Sequence, residues 1–151
     1  MDPIETCWMD EEAGTAEILI EGLPGIGHVG KLVAEHMIQE FQAKKVAELN
    51  SIYLPPQVVI EPDGVARLAR NEIFLCEGEK RIAFLVGDYQ SASAEGHYLL
   101  AEAYLDIAER LGVRRIYTLG GYGVGHLVSL PRVLSAVNRE ELRPDVVREE
   151  P

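Results

Sequence analysis

Three glycine-bearing segments carry the residues whose types and spacing could perform chemistry. The first, residues 20–31, reads Ile-Glu-Gly-Leu-Pro-Gly-Ile-Gly-His-Val-Gly-Lys and matches the spacing G-x-G-x-x-G through Gly25, Gly27 and Gly30. Glycines so spaced let a backbone approach a diphosphate at a helix N-terminus. Pro24, however, lacks the N–H donor that a phosphate cradle needs. We interpret the segment as a tight turn into a helix packed close to a sheet, with nucleotide binding as the alternative.

The other two segments follow later apolar runs. Asp88 follows the apolar residues 82–86 after a single glycine, the usual position of a catalytic or metal-binding carboxylate in α/β enzymes, although Asp88 can instead be a turn aspartate that caps N–H groups. Residues 120–125 predict either an anion-binding nest of N–H groups or a close backbone crossing. The candidate crevice residues in the three segments are Gly25, Gly27, His28, Asp88, Gln90, Gly121, Gly123 and His126.

The spacing of these residues supports no particular reaction. The sequence contains no G-x-S-x-G, H-E-x-x-H or G-x-x-x-x-G-K-[ST] motif. The two cysteines, Cys7 and Cys76, form no C-x-x-C pair that would indicate a zinc site or a disulfide framework. We therefore predict no catalytic residue, metal or cofactor.

Hydrophobic periodicity predicts the elements that position these segments. Strands are expected at residues 16–21, 45–49, 82–86 and 115–119, and amphipathic helices at about 29–41 and 94–111. Turn residues predict two central hairpins, which join residues 57–60 to 65–68 and residues 72–76 to 81–86. Gly112 is expected to cap the second helix in the left-handed conformation.

This order of elements predicts one α/β domain over residues 1–151, with a mixed, largely parallel sheet flanked by helices and antiparallel hairpins in the centre. The three segments should converge, because loops after the carboxyl ends of neighbouring parallel strands meet at one edge of a sheet. The first helix is expected to dock through one apolar face, with His36 in the core; that face comprises Val29, Leu32, Val33, His36, Met37, Glu40 and Phe41.

Charge and composition limit the possible partners and location. A formal net charge of −11 repels nucleic acid and acidic membrane surfaces, which are bound chiefly by lysine and arginine. The N-terminus has no basic region followed by an apolar core, and no apolar run reaches the roughly 20 residues of a membrane span. We expect a cytoplasmic protein with reduced thiols and no nucleic-acid or membrane partner.

Five sequence blocks, in this order, resemble the PAC2 family of proteasome assembly chaperones. They are Gly22-Leu-Pro-Gly-Ile-Gly27 with Val29-Gly-Lys31, Leu54-Pro-Pro-Gln57, Gly64-x-x-Arg67-Leu-x-Arg70-Asn-Glu72, Gly87-Asp88-x-Gln90 and Thr118-Leu-Gly-Gly-Tyr-Gly-x-Gly125. The residues that carry the resemblance include Pro24, Pro55, Pro56, Arg67, Arg70, Asn71, Glu72 and Tyr122. Five blocks in the family's order identify a family far more specifically than one glycine triplet does.

The resemblance implies a non-enzymatic protein that binds proteasome α-subunits during core-particle assembly and forms a homo-oligomer, on a nucleoside phosphorylase-like fold without an established catalytic centre. Archaeal members can carry a C-terminal hydrophobic-Tyr-X tail, which residues 148–151 do not match, and the family usually continues well beyond residues 120–125. A short or truncated member is therefore expected. The alternative is a nucleotide- or nucleoside-binding α/β enzyme that uses residues 22–30, 87–93 and 120–125.

Overall fold

The computed structural model describes residues 2–9, 12–76, 78–79 and 81–146. Its strands are β1 (Ile4–Trp8), β2 (Ile18–Gly22), β3 (Lys44–Ser51), β4 (Val58–Ile60), β5 (Ala66–Leu68), β6 (Asn71–Leu75), β7 (Ile82–Gly87) and β8 (Arg115–Thr118). Its helices are α1 (Val29–Glu40), α2 (Ala94–Arg110) and the short α3 (Arg143–Val146), with 3-10 turns at Ile26–His28 and Glu140–Leu142. Six strands form one sheet in the order β1-β3-β6-β7-β2-β8, and β4 and β5 form a separate hairpin.

The sheet is mixed, but the prediction that it is largely parallel is wrong. Only the β2–β7 and β2–β8 pairs are parallel, whereas the β1–β3, β3–β6 and β6–β7 pairs are antiparallel. Parallel neighbours need a long crossover, whereas a short turn such as that between β6 and β7 leaves two strands antiparallel. Both predicted hairpins are confirmed; the turn residues Glu77 and Lys80 lie outside the described residues.

Strand β1 was not predicted and forms one edge of the sheet. It pairs with β3 from Ile4 opposite Ser51 to Trp8 opposite Ala47. Its side chains alternate between half-buried and exposed, and Ile4 and Trp8 pack against the core. The guanidinium of Arg110 lies 4.0 Å from the centre of the Trp8 ring, a cation–π distance. Trp8 therefore covers the edge of the core.

Helix α2, which the sequence predicts as an amphipathic helix, covers one face of the sheet through its apolar side chains. Leu100, Ile107 and Leu111 are buried in a core that includes Leu19 and Leu49 from the strands. Ser93 is the N-cap residue that precedes the helix, and its side chain accepts a hydrogen bond from Gly96 N at 3.0 Å. The predicted cap at the other end, Gly112, has φ 76°. Capping and packing thus both specify this helix.

Helix α1 covers the opposite face, but through only part of the predicted face: Met37 and Phe41 pack on the sheet, and the other five predicted residues are exposed. Gly30 and Ala34 are its buried residues, and its partly buried side chains Met37, Ile38 and Phe41 pack on Ile20, Phe84 and Val86 of the sheet. The predicted face residues Val29, Leu32, Val33 and His36 are exposed, so His36 is not a core residue. The small residues face the sheet because α1 approaches the backbone near Leu119 too closely for a larger side chain.

Candidate functional site

The three glycine-bearing segments converge at one edge of the sheet, as predicted, and we call them the loop cluster (residues 22–30, 87–93 and 120–125). Gln90 Nε2 donates a hydrogen bond to Pro24 O at 2.6 Å, which joins the first two segments. A Cβ built on Gly121 would lie 2.2 Å from Ile26 O, so the backbones of the first and third segments are in close contact. The parallel strands β2, β7 and β8 explain this meeting, because their carboxyl ends share an edge.

Several glycines of the loop cluster are needed where main chain packs against main chain. A Cβ on Gly22 would lie 2.5 Å from both Ala34 Cβ and Gly30 O, and one on Gly30 would lie 2.1 Å from Leu119 O. Gly27 has φ 63°, a turn conformation that other residues adopt at a cost. These contacts support the interpretation of residues 22–30 as a tight turn into a closely packed helix.

The candidate crevice residues do not form one constellation around Asp88. His28 is exposed and starts α1 with φ 52°, whereas the exposed His126 has Nδ1 2.9 Å from Val124 O. A Cβ on Gly25 would contact only Gln90, at 3.9 Å, and one on Gly123 would meet nothing within 4 Å. In the described part of the chain, no three His, Cys, Asp or Glu side chains are placed to hold a metal ion.

Asp88 instead anchors the β4–β5 hairpin to the sheet. Arg67 binds it with two nitrogens, Nη1 at 2.5 Å from Oδ2 and Nη2 at 3.2 Å from Oδ1. Arg70 N donates to Oδ2 at 3.0 Å, and Arg67 Nε also binds the carboxylate of Glu61. Partial burial alone would raise the pKa of Asp88, but the hydrogen bonds from Arg67 and Arg70 hold that pKa below its usual value. A carboxylate so paired is a poor general base.

A second polar network neutralises a like-charge pair on the sheet. Glu48 of β3 lies directly opposite Glu72 of β6. Lys45 Nζ bridges them, at 2.5 Å from Glu48 and 3.1 Å from Glu72, and Arg70 binds the same two carboxylates at 3.1 and 2.8 Å. The motif residues Arg70 and Glu72 thus act in cross-strand pairing, and sequence reasoning missed the contributions of Lys45 and Glu48.

Asn71 is the one buried polar residue among the described residues, and its side chain forms hydrogen bonds in the interior of the site. Its Nδ2 donates to Tyr89 O at 3.3 Å, and its Oδ1 accepts from the hydroxyl of Tyr104 at 3.2 Å. A Cβ on Gly87 would lie 1.9 Å from Asn71 Nδ2, so that glycine makes room for the amide. Asn71 therefore connects β6, α2 and the segment after β7.

We expect Asp88→Asn to lower the free energy of unfolding by about 1–3 kcal/mol at neutral pH, because it removes the charge that the partly buried guanidinium of Arg67 faces. The folded-state pKa of Asp88 is depressed, so its contribution is present above its unfolded pKa of about 3.9 and is lost as the pH falls through the lower folded-state value. Urea unfolding across pH should show the wild-type advantage shrinking below about pH 4.

Asp63→Asn on the same hairpin is the matched control. Asp63 Oδ1 accepts from Val65 N at 3.0 Å in an exposed turn, and asparagine can accept the same bond. Its effect should stay within about 0.5 kcal/mol. Equal effects of the two substitutions, or an Asp88→Asn effect that persists unchanged at acidic pH, would contradict the assigned ion pair.

Eleven of the 21 large apolar side chains that are exposed in the described part of the chain belong to residues 26–33 and 122–134, which overlap or follow the first and third segments of the loop cluster in the sequence; we call these eleven side chains the open face. Leu32 is 60% exposed, Ile26 66%, Leu127 101% and Val133 99%. The open face comprises Ile26, Val29, Leu32, Val33, Tyr122, Val124, Leu127, Val128, Leu130, Val133 and Leu134. Apolar surface on this scale commonly marks an interaction site.

The remaining motif residues lie close to these features. Pro55 and Pro56 belong to the loop after β3, where Gln57 N donates to Pro55 O at 2.7 Å. Tyr122 is 78% exposed beside the third segment of the loop cluster. The C-terminal residues 147–151, which do not match the hydrophobic-Tyr-X tail, lie outside the described residues. In the part of the chain that is described, no helix has the length and apolar character to cross a bilayer.

Comparison with known proteins agrees with the five-block resemblance. The PAC2 family profile matches residues 19–151. An uncharacterized protein of Methanocaldococcus jannaschii is 42% identical over 125 residues, which are 83% of this chain and 48% of that protein. The crystal structure of Pyrococcus furiosus PbaB, an archaeal proteasome activator, superimposes with a TM-score of 0.90 at 38% identity, over 96% of this chain and 62% of PbaB.

A more distant structure shares the fold. Pyrococcus furiosus PbaA, an archaeal homolog of proteasome-assembly chaperone, gives a TM-score of 0.62 at 19% identity and covers 85% of this chain and 53% of PbaA. The chain thus spans about half the length of the Methanocaldococcus relative and less than two thirds of PbaB.

Proposed function

The chain belongs to the PAC2 family, and from this premise we propose that it is a non-enzymatic, proteasome assembly chaperone-like protein that binds proteasome α-subunits during core-particle assembly in the cytoplasm. The observation that carries the proposal is its likeness to PbaB, which is described as a proteasome activator, over nearly the whole chain. The polar groups of the candidate site support a binding role over an enzymatic one, since Asp88, Arg70 and Asn71 bind other residues of the protein.

The binding surface of this proposal is the open face with the exposed parts of the loop cluster. Ile26 connects the two, because it precedes α1 and its carbonyl packs against Gly121. Gly25, Gly27 and His28 are exposed next to it. Apolar side chains in the centre of a contact, with polar backbone around them, match the composition of protein interfaces. The same surface offers a contact for self-association, so a homo-oligomer is part of the proposal.

Binding of purified archaeal proteasome α-subunits, measured by native mass spectrometry and by titration, tests the proposal. We expect a complex with the wild-type chain and at least a tenfold loss of affinity for Leu32→Asp, because a carboxylate placed in a desolvated apolar contact costs more than about 1.4 kcal/mol. Leu105→Asp, at a position 58% exposed on α2, which covers the face of the sheet opposite α1, is the matched control. Absence of any complex, or an equal loss in both variants, would count against the proposal.

The nucleotide-binding alternative predicts a different result. A nucleotide at 100 times its dissociation constant would stabilise the fold by about 2.7 kcal/mol. We expect no change in melting temperature with ATP, NAD, nucleosides or sugar phosphates, since close main-chain packing accounts for Gly22, Gly30 and Gly121. A saturable rise in melting temperature that Gly27→Ala abolishes would favour the alternative instead.

A further inference from the structure

Strand β8 has a hydrogen-bonding edge that the described residues leave open. It lies at the end of the sheet and pairs only with β2. Arg115 N donates to Glu17 O at 3.2 Å and Leu119 N to Glu21 O at 2.9 Å, so these residues face β2. The backbone N–H and C=O groups of successive residues point to opposite sides of a strand. Those of Ile116 and Thr118 therefore point away from β2. An edge of this kind is a template for another strand.

A groove of about 950 Å³ runs beside this edge. Residues 114–118 form one wall, and residues 136–139 with Leu142, Asp145 and Val146 form the other. Apolar and polar groups share the lining, with Ile18, Ile116 and Tyr117 on the strand side. The volume lies at the upper end of the range for ligand sites, about 300–1,000 Å³.

The groove carries unpaired positive charge although the chain is strongly acidic. Two of its acidic lining residues are already engaged, Asp145 with Arg115 at 2.8 Å and Glu17 with Arg81 at 2.6 Å. Arg114 and Arg139 also line the groove, and neither forms an ion pair with any described residue. In a chain of net charge −11, these two guanidinium groups select for a negatively charged occupant.

We propose that this groove binds an extended acidic peptide, which adds to β8 as a further strand. Backbone groups of the peptide bond to Ile116 and Thr118. Its apolar side chains lie on the face of the sheet that carries Tyr117, and its carboxylates lie on the other face, which carries Arg114, and pair with Arg114 and Arg139. A second copy of the chain is disfavoured as occupant, because pairing two β8 edges would bring the unpaired arginines of both copies into one contact. The proposal does not depend on proteasome binding.

The test uses two synthetic peptides with blocked ends, one of alternating valine and glutamate and one in which lysine replaces each glutamate. Fluorescence anisotropy should show the glutamate peptide binding at least tenfold more tightly, with affinity falling as salt is added. Hydrogen exchange should show new protection at the amides of Ile116 and Thr118, which a purely electrostatic contact elsewhere would not produce.

Charge-reversal variants locate the site. The double variant Arg114→Glu/Arg139→Glu should weaken binding of the glutamate peptide at least tenfold. Arg143→Glu, at an exposed arginine that does not line the groove, should change it less than twofold. Equal binding of both peptides, equal losses in both variants, protection confined to other strands, or a stable dimer through β8 without peptide would each overturn the proposal.

Discussion

Gly30→Ala is expected to lower the free energy of unfolding by at least about 3 kcal/mol, at the severe end of the range for overpacking. The added Cβ would lie 2.1 Å from Leu119 O and 2.7 Å from Leu119 C. Both contacts are with backbone at the end of β8, so no side-chain rotation relieves them. Helix α1 would have to move away from the sheet, which would open the packing of Ala34 on Phe84. Urea denaturation followed by circular dichroism measures the loss.

Gly120→Ala is the matched control for this prediction. Gly120 lies in the loop cluster close to Leu119, its backbone is not in the left-handed region, and a Cβ there would meet nothing within 4 Å. Its substitution should change stability by less than about 0.5 kcal/mol. Similar effects at Gly30 and Gly120 would show that general loop flexibility, rather than the close approach of α1, explains the glycines.

Asn71→Leu should cost about 2–4 kcal/mol, although leucine has the same number of side-chain heavy atoms as asparagine and is more apolar. Asn71 is fully buried, and its loss leaves the Tyr104 hydroxyl and the Tyr89 carbonyl without their partner. A buried polar group without a hydrogen bond costs about 1–3 kcal/mol. Burial, reinforced by nearby Glu21, raises the pKa of Tyr104, so its hydroxyl keeps its proton and needs an acceptor.

The double variant Asn71→Leu/Tyr104→Phe separates the hydrogen bond from simple packing. Replacing both partners by apolar groups removes the stranded hydroxyl, so the double variant should be more stable than Asn71→Leu alone by about 1 kcal/mol or more. Thermal and urea unfolding of the four proteins in this cycle provide the comparison. A double variant less stable than either single variant would show that the Asn71–Tyr104 bond is not what holds this part of the core.

Much of the secondary structure was predictable because it depends on neighbours along the chain. Asp63-Gly64 marks the β4–β5 hairpin, where Gly64 has φ 85°, and the apolar period of residues 100–111 places α2 on the sheet. The uniformly apolar residues 82–86 form a central strand. The likeness to nucleoside phosphorylases that the family resemblance implied stays a prediction.

The errors arose where local pattern and tertiary contact compete. On the first half of α1, the apolar pattern placed Leu32 and Val33 on the buried face, but Gly30 and Ala34 occupy it because close approach to the sheet requires small side chains. Asp88 fits a catalytic position by sequence, yet it binds Arg67 because the β4–β5 hairpin folds back over the end of β7. The residues around Gly30 and around Asp88 in the sequence do not reveal that Gly30 contacts Leu119 or that Asp88 binds Arg67.

The sequence alone determined the family, both hairpins and the two long helices, because ordered motifs, turn residues and apolar periods are properties of contiguous residues. Only the tertiary structure decided the antiparallel half of the sheet, the buried side of α1 and the pairing of Asp88 with Arg67 and of Asn71 with Tyr104. Those features are contacts between residues that are distant in the chain. They stabilise the protein only after the sheet has brought the groups together, so no local sequence pattern indicates them.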